Sequence, residues 1–193
     1  MSVIKTSSKH PLIKALDRVV SFLQKQQIPY MIFGGIANSI YGNPRQTFDI
    51  DIKVEVEAGR PVETFIEKVA QIGQLLPENP RQFIDQTAVL PVMVNDIRID
   101  IVFAHLPFEI ESIRRSQEQK LAGLTLRVCT IEDLIIHKAI STRLKDWDDI
   151  ATLIRLHKTK LDWPYLKQHC QELAEFLQRP DLLKDILRYK NAE

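Results

Sequence analysis

Two cysteines, Cys129 and Cys170, are too few and too far apart for a disulfide framework, and neither has a second metal-type ligand at useful spacing. A disulfide scaffold and a structural zinc site are therefore excluded, and a reducing compartment is expected. An excess of charge of one sign is also missing: 26 Lys and Arg stand against 25 Asp and Glu, for a net charge of +1. Such a balance gives no global electrostatic case for nucleic acid or membrane surfaces, although there is a mild tilt from a slightly acidic part before Ile113 to a slightly basic part after it. Long apolar runs are absent as well. The longest charge-free stretch, Ile28 to Pro44, is interrupted by Gly34, Gly35, Asn38, Gly42, Asn43 and Pro44, so it is no membrane helix. The polar start, Met1 to His10, has nothing like a signal peptide. These absences lead to the expectation of a soluble, cytoplasmic protein without a membrane partner.

What is present is ordinary globular composition, 45% hydrophobic and 26% charged over 193 residues. That is enough for one sizeable domain, or one domain with a small helical appendage. Leu12, Ile13, Leu16, Val19, Val20 and Leu23 recur at three- and four-residue spacing and predict a helix over 11–26. Tyr30–Phe33 reads as a short buried strand, turned by Gly34-Gly35 into a helix over 36–41 that stops at Gly42-Asn43-Pro44. Strict alternation predicts a strand over 48–54, and Pro61 opens a helix over 62–72. The stretch 73–87 is loop-like. The apolar runs 88–94 and 97–104 flank Asn95-Asp96, a tight hairpin turn. A helix over 107–117 and a strand over 124–128 follow. Thr130 then resembles an N-cap three residues before Asp133, and the pattern is helical from Ile131 onward, punctuated near 162–164 and 179–180. The expected layout is an α/β core over 1–128 and a helical region over 129–193 packed on it.

Chemistry concentrates in three aspartates. Successive strand side chains point to opposite faces, so Asp49 and Asp51 share one face. Like charges so placed repel, and aspartate is a poor strand former. A divalent cation converts that liability into coordination, because carboxylate oxygens suit hard ions such as magnesium or manganese. Asp100 lies on a second alternating strand, and pairing the two strands brings it to the same point. Three carboxylates there are a metal set for in-line displacement at phosphorus. Gly34-Gly35, between a strand and a helix, lets backbone N–H groups approach a phosphate. Farther on, residues 138, 142, 145 and 149 share a face if one helix runs through them, which puts Lys138, Lys145 and Asp149 together. The five histidines show no metal-type spacing.

The order Phe33-Gly34-Gly35, then Phe48-Asp49-Ile50-Asp51-Ile52, then Ile99-Asp100-Ile101 resembles the polymerase-beta-like nucleotidyltransferase superfamily. The resemblance implies an α/β (α+β) nucleotidyltransferase fold, with a mixed central sheet flanked by helices and a small C-terminal helical region. Within that superfamily, the run from Lys138 through Arg143, Lys145, Asp146 and Asp149 is similar to the AbiEii-type toxin nucleotidyltransferases, as is the approach Tyr41 to Thr47 with Arg45 inside it. The likeness covers roughly residues 28 to 155. It implies transfer of a nucleoside monophosphate from a nucleoside triphosphate such as ATP to an acceptor hydroxyl, with release of pyrophosphate. In that reading Asp49, Asp51 and Asp100 are catalytic and bind Mg2+ or Mn2+. Gly34, Gly35, Arg45, Lys138, Arg143, Lys145 and Asp146 bind the nucleotide. The acceptor is open among tRNA, protein and small molecule. Two alternatives stand beside this reading: a catalytically inactive module of a toxin–antitoxin-like pair, with an antitoxin partner, and a nucleotidyltransferase of the antibiotic-modifying kind.

Overall fold

In a computed structural model of the chain, which describes residues 10–44, 46–56 and 61–191, apolar periodicity translates directly into the first elements. Helix α1 (Pro11–Lys25) buries Ile13, Leu16, Val19, Val20 and Leu23 along one stripe. Its N-terminus has proline in the first turn and the His10 ring accepting the Leu12 N–H at 3.3 Å. Strand β1 (Tyr30–Phe33) leads into α2 (Gly34–Ile40), and β2 (Asp49–Val54) returns antiparallel to β1. Then come α3 (Val62–Ala70), β3 (Gln74–Leu75), α4 (Pro80–Thr87), β4 (Val89–Val94) and β5 (Ile97–Phe103). The order continues with α5 (Pro107–Arg115), β6 (Gln117–Leu121), β7 (Leu124–Val128), α6 (Ile131–Ile140), α7 (Leu144–His157), α8 (Trp163–Phe176) and α9 (Leu182–Asn191).

The chain forms two compact units. The first, residues 10–36 and 46–129 where described, holds one mixed seven-stranded sheet in the order β3-β4-β5-β2-β1-β7-β6. Its centre is the parallel pair β2 and β5, in register from Asp49 opposite Arg98 to Val54 opposite Phe103. That register divides the sheet chemically. Ile50, Ile52, Val54, Ile99, Ile101 and Phe103 point to one face, where all are buried. On that side Phe103 meets Phe65 of α3 edge-on at 5.4 Å, Phe65 meets Phe22 of α1, and α1 lies along β4 and β5. Asp49, Asp51 and Lys53 of β2, with Arg98 and Asp100 of β5, point to the other face.

The second unit, residues 37–44 and 130–191 where described, is helical. Leu134, Ile135, Ile136, Ile150, Leu153 and Ile154 are fully buried within it. Thr130 caps α6 as expected, accepting the Asp133 N–H at 3.1 Å, and Tyr165 of α8 donates its hydroxyl to Asp133 at 2.7 Å.

Three local expectations change. The stretch 73–87 contains α4, started by Asn79, whose side chain accepts the Gln82 N–H at 3.0 Å, with Pro80 in the first turn. Only Ile84 of that helix is buried, so the periodic signal was too thin to register. The helix expected to Gln117 ends at Arg115, and Gln117–Leu121 is an edge strand hairpinned to β7 through Ala122 and Gly123, both at positive φ. Finally, the helical pattern after Ile131 breaks at residues 141–143. There the Ser141 hydroxyl accepts the Arg143 N–H at 3.1 Å and competes with the helix.

On the carboxylate face of the first unit, burial deepens along β2 from exposed Asp49 through intermediate Asp51 to Lys53, which is 3% exposed. Lys53 ion-pairs with Glu109 of α5, whose other oxygen accepts the N–H groups of His105 and Leu106 at 2.9 and 3.1 Å. Burial pushes the Glu109 carboxyl up, but Lys53 and the two N–H donors outweigh it and leave Glu109 below the usual carboxylate range. A carboxyl with a depressed folded-state pKa stabilises the fold above its unfolded value, and that contribution is lost as pH falls through the folded value. Thermal unfolding followed across pH is therefore expected to show stability falling below about pH 4, with a shallower fall in Glu109→Gln. Lys53→Met, which leaves Glu109 buried without its cation, is expected to cost about 3 kcal/mol in urea unfolding. Adding Glu109→Gln should restore part of that loss.

Candidate active site

The three aspartates meet. Asp51 and Asp100 are register partners on adjacent parallel strands, and Asp49 lies two residues before Asp51 on the same face. One carboxylate oxygen from each of the three lies within 4.8 Å of the others. Two unit charges at that separation repel by roughly 1 kcal/mol in water and about 3–4 kcal/mol at the effective dielectric of a protein surface. The β2–β5 hydrogen-bond ladder holds them there regardless. Hard oxygen donors from three directions fit a divalent cation of the magnesium or manganese kind.

The glycine corner is built around the same carboxylates. Gly34 follows Phe33, the β1 partner of Asp51, and adopts φ +63°. A Cβ on Gly34 would overlap the Asp51 carboxyl group, and one on Gly35 would overlap the Thr47 hydroxyl. Both glycines are thus required for the close approach of side chains from the β2 segment, a reason that acts before any phosphate arrives. Thr47 in turn donates to the Asp49 carboxylate at 2.9 Å, orienting it. Arg98 donates through Nε to Asp100 at 2.9 Å. Neither Thr47, named from sequence only as the end of the approach from Tyr41, nor Arg98 was given a site role there. The signal for both was present, since each lies two residues before a site aspartate, the spacing that returns to one strand face.

The remaining candidates fall in the second unit or outside the described residues. Arg45 lies outside them. Lys138 and Asp149 do come together, but not on one helix: they meet across the break between α6 and α7. Lys138, 5% exposed, donates to Asp149 at 2.6 Å and to Asp146 at 3.1 Å. Asp149 also accepts from Asn38 at 3.1 Å and Asn43 at 3.0 Å, and Asn38 donates onward to the Asn43 carbonyl at 2.9 Å. Arg143 reaches Asp146 at 2.7 Å from a largely exposed position. Burial works against ionised Asp146, but hydrogen bonds from Ser141, Lys138 and Arg143 prevail and hold its carboxyl below the ordinary range. Lys145 stays exposed and does not join this network.

A glycine corner on a mixed sheet beside three converging aspartates is the juxtaposition that the sequence resemblance to nucleotidyltransferases implies. The chain belongs to the family described as nucleotidyl transferase of unknown function (DUF2204), whose model matches residues 12–184. It is accordingly an enzyme of the nucleotidyltransferase class. No curated protein matches the sequence. Among solved structures it is similar to an antigenic nucleotidyltransferase-like protein from Paracoccidioides brasiliensis, at 16% identity over 94% of each chain and a TM-score of 0.52. It is also similar to the lincosamide antibiotic adenylyltransferase LnuA in its lincomycin-bound form, at 15% identity over 74% of this chain and 96% of that one, TM-score 0.51. At these identities the likeness shows the fold, which is the mixed α/β nucleotidyltransferase fold. Among the described residues no helix is long and apolar enough to cross a membrane.

Gly34→Ala is expected to lower stability by about 1–2 kcal/mol through its positive φ alone, and by more through the collision with Asp51. In an Asp51→Ala background the carboxyl group is gone and only the shallower Cβ contact, at 2.9 Å, remains. Urea denaturation of the two single variants and the double variant should therefore show clear non-additivity, with Gly34→Ala costing less when Asp51 is absent. Equal costs in both backgrounds would show that the carboxylate does not occupy that space.

Proposed function

We propose that the protein transfers a nucleoside monophosphate from a nucleoside triphosphate to an acceptor hydroxyl, releasing pyrophosphate, with Asp49, Asp51 and Asp100 as the catalytic carboxylates. The observation carrying this reading is the approach of the three carboxylates to within 4.8 Å on paired strands. Like charges held that close would be stabilised by a divalent cation shared among them. Asp49, Asp51 and Asp100 would hold divalent magnesium or manganese, which would supply positive charge to polarise the phosphates and ease loss of the acceptor proton.

The chain's own residues do the rest. Asp100 accepts the proton of the acceptor hydroxyl, whose oxygen then forms the bond to the α-phosphorus while the bond to the bridging oxygen breaks and pyrophosphate departs. Thr47 fixes the Asp49 carboxylate for ligation, and the backbone of the Gly34-Gly35 corner cradles the triphosphate. Within the AbiEii-like run, Lys138 and Asp146 are assigned a scaffold role, since both are buried and paired with one another. Arg143 and Lys145 are the exposed cations of that run, and nucleotide binding by them and by Arg45 stays the expectation that the resemblance raises.

Incubation with α-labelled nucleoside triphosphates and Mg2+ is expected to give labelled acceptor and pyrophosphate. Asp49→Ala/Asp51→Ala should abolish the label, and Asp100→Asn should reduce transfer by at least about 100-fold, the scale of losing a group that acts on the transferred proton. Full activity in the double variant would sink the mechanism. Chelation with EDTA should stop transfer, and added Mn2+ should restore it.

A further inference from the structure

The carboxylate cluster already carries a cation of its own. Arg98 sits on β5 as the register partner of Asp49 and donates its Nε to Asp100 at 2.9 Å. Its side chain is 52% exposed and that of Asp100 only 20%, so the guanidinium covers the carboxylate from the solvent side. The β5 pleat gives it no choice of face: Arg98 and Asp100 are two residues apart on one strand and must project together. The contact uses Nε, at the base of the guanidinium. The two terminal amino groups have no hydrogen bond or ion pair among the described residues.

We infer that Arg98 is a resident counter-cation of the site, one that shares the Asp100 carboxylate with the divalent ion and turns its forked end to the polyphosphate when the nucleotide arrives. This rests on the reading of the three aspartates as a metal set. The physics follows from charge alone. A cation bound to Asp100 neutralises part of the repulsion among the three carboxylates and so steadies the cluster. It also lowers the attraction of that cluster for a second cation, because an incoming ion must share the Asp100 carboxylate with the guanidinium and meets a positive group beside it. A nucleoside triphosphate reverses the balance. Its oxygens offer the planar fork a better, bidentate partner, so release of Asp100 and capture of the phosphate become one movement. Metal and nucleotide then favour each other's binding, as linkage requires. Arg98 is a positioning residue in this account, since it acts on the metal ligand and on the non-reacting end of the substrate.

The test uses the full chain with Mn2+ alone, following free Mn2+ by electron paramagnetic resonance. Arg98→Gln is expected to bind Mn2+ roughly three- to tenfold more tightly than the unmodified protein, the range set by loss of an exposed ion pair and of one adjacent positive charge. Arg98→Lys, which keeps the charge without the fork, should stay within about twofold of the unmodified protein. In transfer assays at saturating Mn2+, both variants should raise KM for the nucleoside triphosphate by at least about threefold while kcat changes less. Unaltered or weaker Mn2+ binding in Arg98→Gln would overturn the counter-cation role, and an unchanged KM would overturn the turn to the phosphate. If the unmodified protein takes up no more Mn2+ than Asp49→Ala/Asp51→Ala does, the fault lies with the metal reading itself, and the inference falls with it.

Discussion

The lateral register of β2 against β5 is the constraint on which the rest of the first unit depends. Because side chains alternate, a single pairing, Asp51 opposite Asp100, puts Ile50, Ile52, Ile99 and Ile101 into the core and the aspartates on the opposite face. A slip of one residue would move the isoleucines to the polar face and the carboxylates into the core. Core and site are therefore specified by the same hydrogen bonds, and the apolar side anchors a charged arrangement that electrostatics alone would disperse. The Asn95-Asp96 turn, with both residues at positive φ, sets β4 beside β5 and fixes that ladder from its other flank.

Charge on the carboxylate face is graded. At the exposed end lie Asp49, Asp51 and Asp100, with Arg98 attached; at the buried end Lys53 and Glu109 neutralise each other. Each end solves the problem of charge on a sheet differently. Buried charge is acceptable only when paired and hydrogen-bonded, which Glu109 achieves with Lys53 and two backbone N–H groups. Exposed charge is screened by solvent and needs less compensation.

The sequence was most informative where one strand face had to be both apolar and acidic. Alternation through Phe48–Val54 and Ile97–Phe103 revealed the strands, the shared face of Asp49 and Asp51, and the place of Asp100. It did not reveal that Phe48 lies outside the strand and is largely exposed, because alternation continues in sequence past the point where pairing stops. The Lys138–Asp149 run was read as one helix because its apolar residues keep helical spacing on both sides of Ser141. The hydroxyl-to-backbone contact that breaks it is a local competition that spacing does not encode. Asn38 and Asn43, which complete the network around Asp149, lie more than 100 positions away in the chain, so only the folded unit could show that they belong to it. Gly34 and Gly35 do form a corner between β1 and α2, and the structure adds a steric reason for them, room for Asp51 and Thr47, that the sequence did not show.

The two borders of the sheet bear on how the protein behaves in a crowded solution. One is the two-residue strand β3; the other is β6, whose sequence Gln117-Glu118-Gln119-Lys120 is polar and mostly solvent-facing. Neither offers another chain a long, flat, greasy template on which to add a strand. Seven strands can thus be kept in one sheet, with β2, β4 and β5 rich in isoleucine and valine, without inviting the open-ended stacking that such sequences favour when their margins are left bare.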